Sequence, residues 1–221
     1  MTIPGAQPAG MNGDWVVDMV RDRTATQLDR LGSEKALVAA TDARLDRERV
    51  LSAAVGAERR AAETFETWAA DESQPEARAA FEAVASQERA HAERVASLAD
   101  GAVDADTDPD ALHDYLRGLD GTPERVAAGL VARPLVSERS LLQVVNFFVN
   151  EADERAAAVF RDLRAETDGL VDEGTTLLDA CCESEAEWER AVDAAERAVE
   201  TAYEEYAETL RGMGVDPAPV C

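Results

Sequence analysis

The chain has 221 residues, enough for one domain of ordinary size, with 46 acidic side chains against 22 basic ones and a net charge of −24. That balance argues against nucleic acid and anionic membrane as partners, and no run approaches the roughly 18 apolar residues of a membrane span. Three cysteines, Cys181, Cys182 and Cys221, make neither a disulfide framework nor a C-x-x-C pair, so a rubredoxin-type iron knuckle is absent.

Lys35 is the only lysine among the basic residues. Acid excess with Arg in place of Lys resembles the cytoplasmic proteins of extreme halophiles, such as halophilic archaea, and a cytoplasmic protein is expected. Aromatic residues are 5% of the chain, alanine is abundant, and 3.6-residue periodicity runs through most segments. The fold class is therefore all-α.

Residues 1–13 lack the basic and apolar regions of a signal peptide and read as a short disordered lead. Residues 14–43 read as an N-terminal helical segment that packs on the rest. Trp15, Val16, Met19, Val20 and Leu28 are its residues for burial, and Gly32 stops the first helix.

A first long helix is expected over 44–70. Its apolar stripe, Leu51, Val55, Ala62 and Phe65, includes one carboxylate, Glu58. The segment DESQP (71–75) reads as a tight turn with Pro75 at a first helical position. A second helix follows over 76–100. On it Phe81, Val84, Glu88, His91, Val95 and Leu98 fall on one face at steps of three and four. Glu88 and His91 thus point into a core, where an unpaired charge is costly. A bound cation would give Glu88 and His91 a partner; alternatively the two pair with each other or with a neighbouring Arg. Folded back as a hairpin, the two helices bring Glu58 roughly level with Glu88.

Next come GAVDADTDPD and two short helices at about 109–118 and 123–132, with Asp108 and Thr122 as expected N-caps before proline. This stretch is a long crossover. His113, in the first short helix, has no partner at ligand spacing and reads as a surface or packing residue. A third long helix is expected over 137–164 and a fourth from about 175 to 211. The fourth has a seam of Trp188, Val192, Ala195, Val199, Tyr206 and Leu210. Gly212 and Gly214 end it, and residues 212–221 are a tail.

The second pair of helices is expected to repeat the first. Phe160 follows Asp153 by seven residues, as Phe65 follows Glu58, so Asp153 takes the place of Glu58. Leu178, Cys181, Glu185, Trp188 and Val192 repeat the spacing around Glu88 and His91, so Glu185 matches Glu88 and Trp188 matches His91. Glu151 and Glu154 flank Asp153 as alternative inward residues. Ser184 and Glu187 form a capping-box pattern; if the fourth helix starts there, Glu185 is a first-turn residue and not a ligand. Leu177 and Leu178 extend the seam upstream and favour the longer helix.

With Glu58 in AERRAAETF and Glu88 and His91 in QERAHAE, the chain resembles the ferritin-like superfamily, and within it rubrerythrin-type proteins without a rubredoxin domain. The architecture matches over roughly 44–211 and the motifs over about 50–98. The resemblance implies a four-helix bundle with a long crossover between its second and third helices. Its metal ligands would be Glu58, Glu88, His91, Glu185 and Asp153. The cofactor would be iron, as a pair or a single ion, or manganese. The implied reaction is oxidoreduction of peroxide or ferrous iron, in a possible homodimer supplied by an unidentified electron donor. Two residues depart from the family pattern: Asp153 is one methylene short, and the indole N–H of Trp188 donates only and cannot ligate. Cys181, one turn before Glu185, is a substitute donor or a small core residue. The alternative to an enzyme is a non-catalytic bundle with a vestigial metal site and a structural or binding role.

Overall fold

The computed structural model describes residues 10–218. Residues 1–9 of the disordered lead expected over 1–13 and the terminal Cys221 lie outside them, whereas Asn12 caps a helix that already starts at Gly13. The described residues are helical with no strand. The helices are α1 (Gly13–Arg23), α2 (Ala25–Leu31), α3 (Lys35–Ala40), α4 (Arg47–Asp71), α5 (Pro75–Ala96), α6 (Ala111–Arg117), α7 (Thr122–Val126), the π-helical π1 (Ala127–Ala132), α8 (Arg133–Asn150), α9 (Glu154–Cys181) and α10 (Glu185–Gly212). None is long and apolar enough to cross a membrane.

The hairpin α4–α5 is set by local chemistry. Asp46 caps α4 by accepting the Arg49 amide at 2.9 Å. The chain leaves α4 at Glu72 in an extended conformation and re-enters a helix at Pro75. Glu72 holds the turn by accepting the Gln74 amide at 2.9 Å and the Thr122 hydroxyl at 3.0 Å, while Arg78 donates to its carbonyl at 2.8 Å.

Backbone angles at Val126 and Ala132 stay helical, so α7, π1 and α8 form one rod over residues 122–150. At one end of the molecule an apolar cluster joins the start of α4 (Val50, Leu51, Val55), the end of α5 (Val95, Leu98), the end of α8 (Val145, Phe148) and the start of α9 (Phe160, Leu163). At the other end Phe65 and Trp68 of α4, Phe81 and Val84 of α5, Leu130 and Leu135 of the rod, and Leu170 and Leu178 of α9 meet in a second cluster. Hence α4 and α9 run one way, and α5 and the rod run the other. The link from α5 to the rod must travel the full length of the bundle, and residues 97–121 with α6 do so. Helices α1–α3 and α10 flank these four and add residues to the clusters, with α10 packed against α6, α7 and π1.

Several expected boundaries move. The helix expected over 137–164 is interrupted at residues 151–153, where Ala152 takes φ 57° and Asp153 caps α9. The gap expected at 165–174 is helical throughout α9. Gly169 and Gly174 do not stop it: Gly174 faces the rod, and a Cβ there would lie 2.9 Å from Leu130 Cβ. Helix α10 starts at Glu185 behind a Ser184–Glu187 capping box, ten residues after the expected start at Thr175. The second short helix expected at 123–132 is the first part of the rod, and Asp110 and Gly121 occupy the cap positions expected for Asp108 and Thr122.

Candidate metal centre

Between the two apolar clusters lies a layer of buried polar side chains. Glu58 comes from the middle of α4, and Glu88 and His91 from one face of α5. Their ligand atoms all lie within 4.8 Å of one another. His91 is 0% exposed, Glu88 1% and Glu58 8%. His91 Nδ1 stands 3.5 Å from Glu58 Oε2 and 3.5 Å from Glu88 Oε2.

Two side chains from the second hairpin complete the layer. Glu166 of α9 reaches from a half-exposed position to His91, with Oε2 2.8 Å from Nε2. Arg94 Nη1 donates to both Glu166 oxygens at 2.8 Å. Arg133, the first residue of α8, is buried and donates from Nη2 to Glu88 Oε1 at 2.5 Å. Its guanidinium carbon sits 5.2 Å from the Phe65 ring centroid.

These contacts decide the imidazole tautomer. Glu166 is held below the ordinary carboxylate range: burial works the other way, but the hydrogen bonds from Arg94 and His91 win. An ionised carboxylate can only accept, so Nε2 carries the proton and donates it to Glu166. Nδ1 then faces two carboxylate oxygens. His91 Nδ1 and Glu88 Oε2 are both buried with no hydrogen-bond partner among the described residues. Orphaned buried polar atoms are expensive.

Protons are one answer to this crowding. Burial acts to lower the His91 pKa, but Glu58 and Glu88 outweigh it and raise it to about 10. Burial and the neighbouring Glu88 charge push Glu58 well above the usual range. Burial also acts to raise Glu88, yet the charge of Arg133, with the Glu58 and His91 hydrogen bonds, holds it down. A divalent cation is the other answer, since it accepts lone pairs from all three residues at once. Two atoms each about 2.1 Å from a shared ion lie about 3.4 Å apart at the tetrahedral angle, close to the 3.5 Å separations found here. The carboxylate–histidine pair formed by Glu166 and His91 is the arrangement that fixes ligand histidines in metal sites. The residues present therefore fit a metal ion.

The other two expected ligands do not join the group. Asp153 is the N-cap of α9: Oδ1 accepts the Ala156 amide at 3.0 Å and Oδ2 the Arg47 Nε–H at 3.2 Å. Glu185 is exposed in the first turn of α10, as the capping-box alternative required. The repeat that assigned both residues aligned the wrong helices, because the partner hairpin is the rod with α9. Glu151 and Glu154 are exposed beside the turn. Trp188 is fully buried, but in the second apolar cluster, with Phe81, Leu130 and Leu178. Cys181 and Cys182 are buried free thiols, and Cys181 belongs to that same cluster. His113 is buried and bonded through Nδ1 to Asp110 at 2.6 Å, a packing role.

Sequence reasoning missed Arg133 and Glu166. Both gave the signal that revealed Glu88. Arg133 lies among Leu130, Val131, Ala132, Leu135 and Val136, with no polar face of its own. Glu166 falls in register with Leu163 and Leu170. The helices expected over 137–164 and from about 175 left both residues outside their stripes.

Comparison with protein-family models, with curated proteins and with solved structures finds no match to this chain.

Proposed function

We propose that the chain is a metal-binding bundle of ferritin-like type, whose centre at Glu58, Glu88 and His91 holds one redox-capable divalent ion, iron or manganese. One observation carries this reading: a histidine whose Nε2–H is committed to Glu166 turns a buried Nδ1, without a hydrogen-bond partner among the described residues, towards two carboxylates. The topology supports it, with two antiparallel hairpins joined by a full-length crossover. The ligand set supports iron or manganese, because carboxylate oxygens with one imidazole suit these ions and no thiolate is present to favour softer ones.

The reaction class that follows is oxidoreduction of peroxide or ferrous iron, in a cytoplasmic protein. A single ion cycling between adjacent oxidation states supplies one electron at a time. The chain's own residues bind the ion, exclude water and hold a proton on Nε2 of His91. The second reading is a non-catalytic bundle with a vestigial site, and Arg133 favours it, because it already neutralises one oxygen of Glu88.

Elemental analysis of untagged protein, purified without chelator, tests the proposal. About one equivalent of iron or manganese per chain is expected, and Glu88→Ala and His91→Ala should each abolish it. Full metal retained in both variants would remove the ion from this site. No metal in the wild type, even after anaerobic reconstitution, would leave the non-catalytic reading.

A further inference from the structure

Glu88 has two carboxylate oxygens, and they face different neighbours. Oε2 is turned towards His91 Nδ1 at 3.5 Å and has no hydrogen-bond partner among the described residues. Oε1 is taken by Arg133 at 2.5 Å. The guanidinium cannot readily leave: it is buried, is stacked against Phe65, and projects from the first residue after π1. A π-helical turn shifts the direction of the side chains that follow it, and such turns gather at functional sites.

Charge completes the argument. Glu58 and Glu88 bring two negative charges, Arg133 one positive, and a coordinating His91 none; the Glu166–Arg94 pair is neutral as a unit. With its ligands in their metal-binding forms, the layer alone thus carries one negative charge, and with one divalent ion it carries one positive charge. A second divalent ion would bring three net positive charges into a buried space, where each costs far more than in water.

Building on the metal-centre reading above, we propose that Arg133 fixes the centre at a single divalent ion, standing as a permanent cation on the carboxylate oxygen that a second ion would have to share. Arg133 is in this sense a specificity-determining residue. It sets how many ions the site takes and limits the chemistry there to one-electron steps. It also weakens the first ion, because its charge lies next to the ligands.

Two substitutions separate this role from a purely structural one. Arg133→Gln keeps a donor for Glu88 but removes the charge. It should bind Mn(II) about tenfold or more tightly than wild type. A residue that merely positioned Glu88 would give weaker binding when changed. Arg133→Glu replaces the guanidinium with a third carboxylate, so two divalent ions would leave the same net charge that one leaves in the wild type. It should therefore bind two equivalents. The measurement is titration with Mn(II), followed by the paramagnetic resonance signal of the free ion, on the full chain at fixed salt, with helicity checked by circular dichroism. Two equivalents in the wild type, or unchanged or weaker binding by Arg133→Gln, would overturn the proposal even if Arg133→Glu failed to fold. One equivalent in a folded Arg133→Glu would overturn it as well. No binding by wild type or either variant would instead sink the metal centre itself, and the role of Arg133 with it.

Discussion

Burial alone would strip His91 of its extra proton. Two carboxylates at 3.5 Å reverse that tendency, and Glu166 decides which nitrogen keeps the last proton. Glu166 is thus a positioning residue, acting on the proposed ion through the imidazole. Glu166→Ala should lower metal affinity by roughly 10–100-fold, the usual effect of removing the carboxylate behind a ligand histidine, with the stoichiometry unchanged. Glu166→Gln should recover much of the loss, because an amide oxygen still accepts from Nε2–H. Competition with a metal-sensitive dye gives both affinities. Equal affinities in all three proteins would show that Glu166 only decorates the surface next to Arg94.

Among the elements, α6 is short but electrostatically anchored. Asp110 caps it by accepting the His113 amide at 2.9 Å, bonds the His113 ring at 2.6 Å and pairs with Arg60 Nε at 3.0 Å. Burial works to raise the Asp110 pKa, but His113 and Arg60 outweigh it and lower it to about 2. A depressed carboxylate stabilises the fold above its ordinary pKa and loses that contribution as pH falls through its folded value. Between pH about 4 and about 2 the wild type should therefore lose ~2 kcal/mol that Asp110→Asn has already lost at neutral pH. Denaturant melts of both proteins across that window measure it. Parallel losses in the two would mean that Asp110 contributes nothing through its charge. At this scale the sequence was unevenly legible. The α4–α5 hairpin could be read because apolar periodicity, Pro75 and the polar insertions Glu58, Glu88 and His91 all agree on one register. The second hairpin could not. Its turn at 151–153 contains neither glycine nor proline, and Ala152 adopts φ 57° because the chain must reverse to pack α9 on α8. Conversely, Gly174 resembles a stop signal but is there so that α9 can approach Leu130. Three of the five expected ligands came from the legible hairpin and converge; Asp153 and Glu185 came from the other and do not.

Across the whole molecule, the fold must withstand its own charge as well as the loss of chain entropy. Arginines are spent on local pairs, such as Arg197 with Glu200 and Glu204, Arg190 with Glu124, and Arg117 with Glu63. Exposed pairs of this kind contribute little each, and even one-to-one pairing would leave the net −24 uncompensated. The compact state concentrates that charge, whereas the unfolded chain spreads it out, so repulsion acts against folding. Salt relieves it: the screening length is about 10 Å at 0.1 M and about 3 Å at 1 M. The buried Glu88–Arg133 pair lies beyond the reach of mobile ions and should not change. Thermal melts in about 0.1 M and about 3 M KCl should therefore differ, with the midpoint at least about 5 °C higher in the concentrated salt, equivalent to ~2 kcal/mol for a domain of this size. Excluded solutes also favour compact states, so a melt in sorbitol of matched water activity is the control. A midpoint that is unchanged in KCl, or raised equally by sorbitol, would mean that surface repulsion does not limit this fold and that the acid excess is no adaptation to salt.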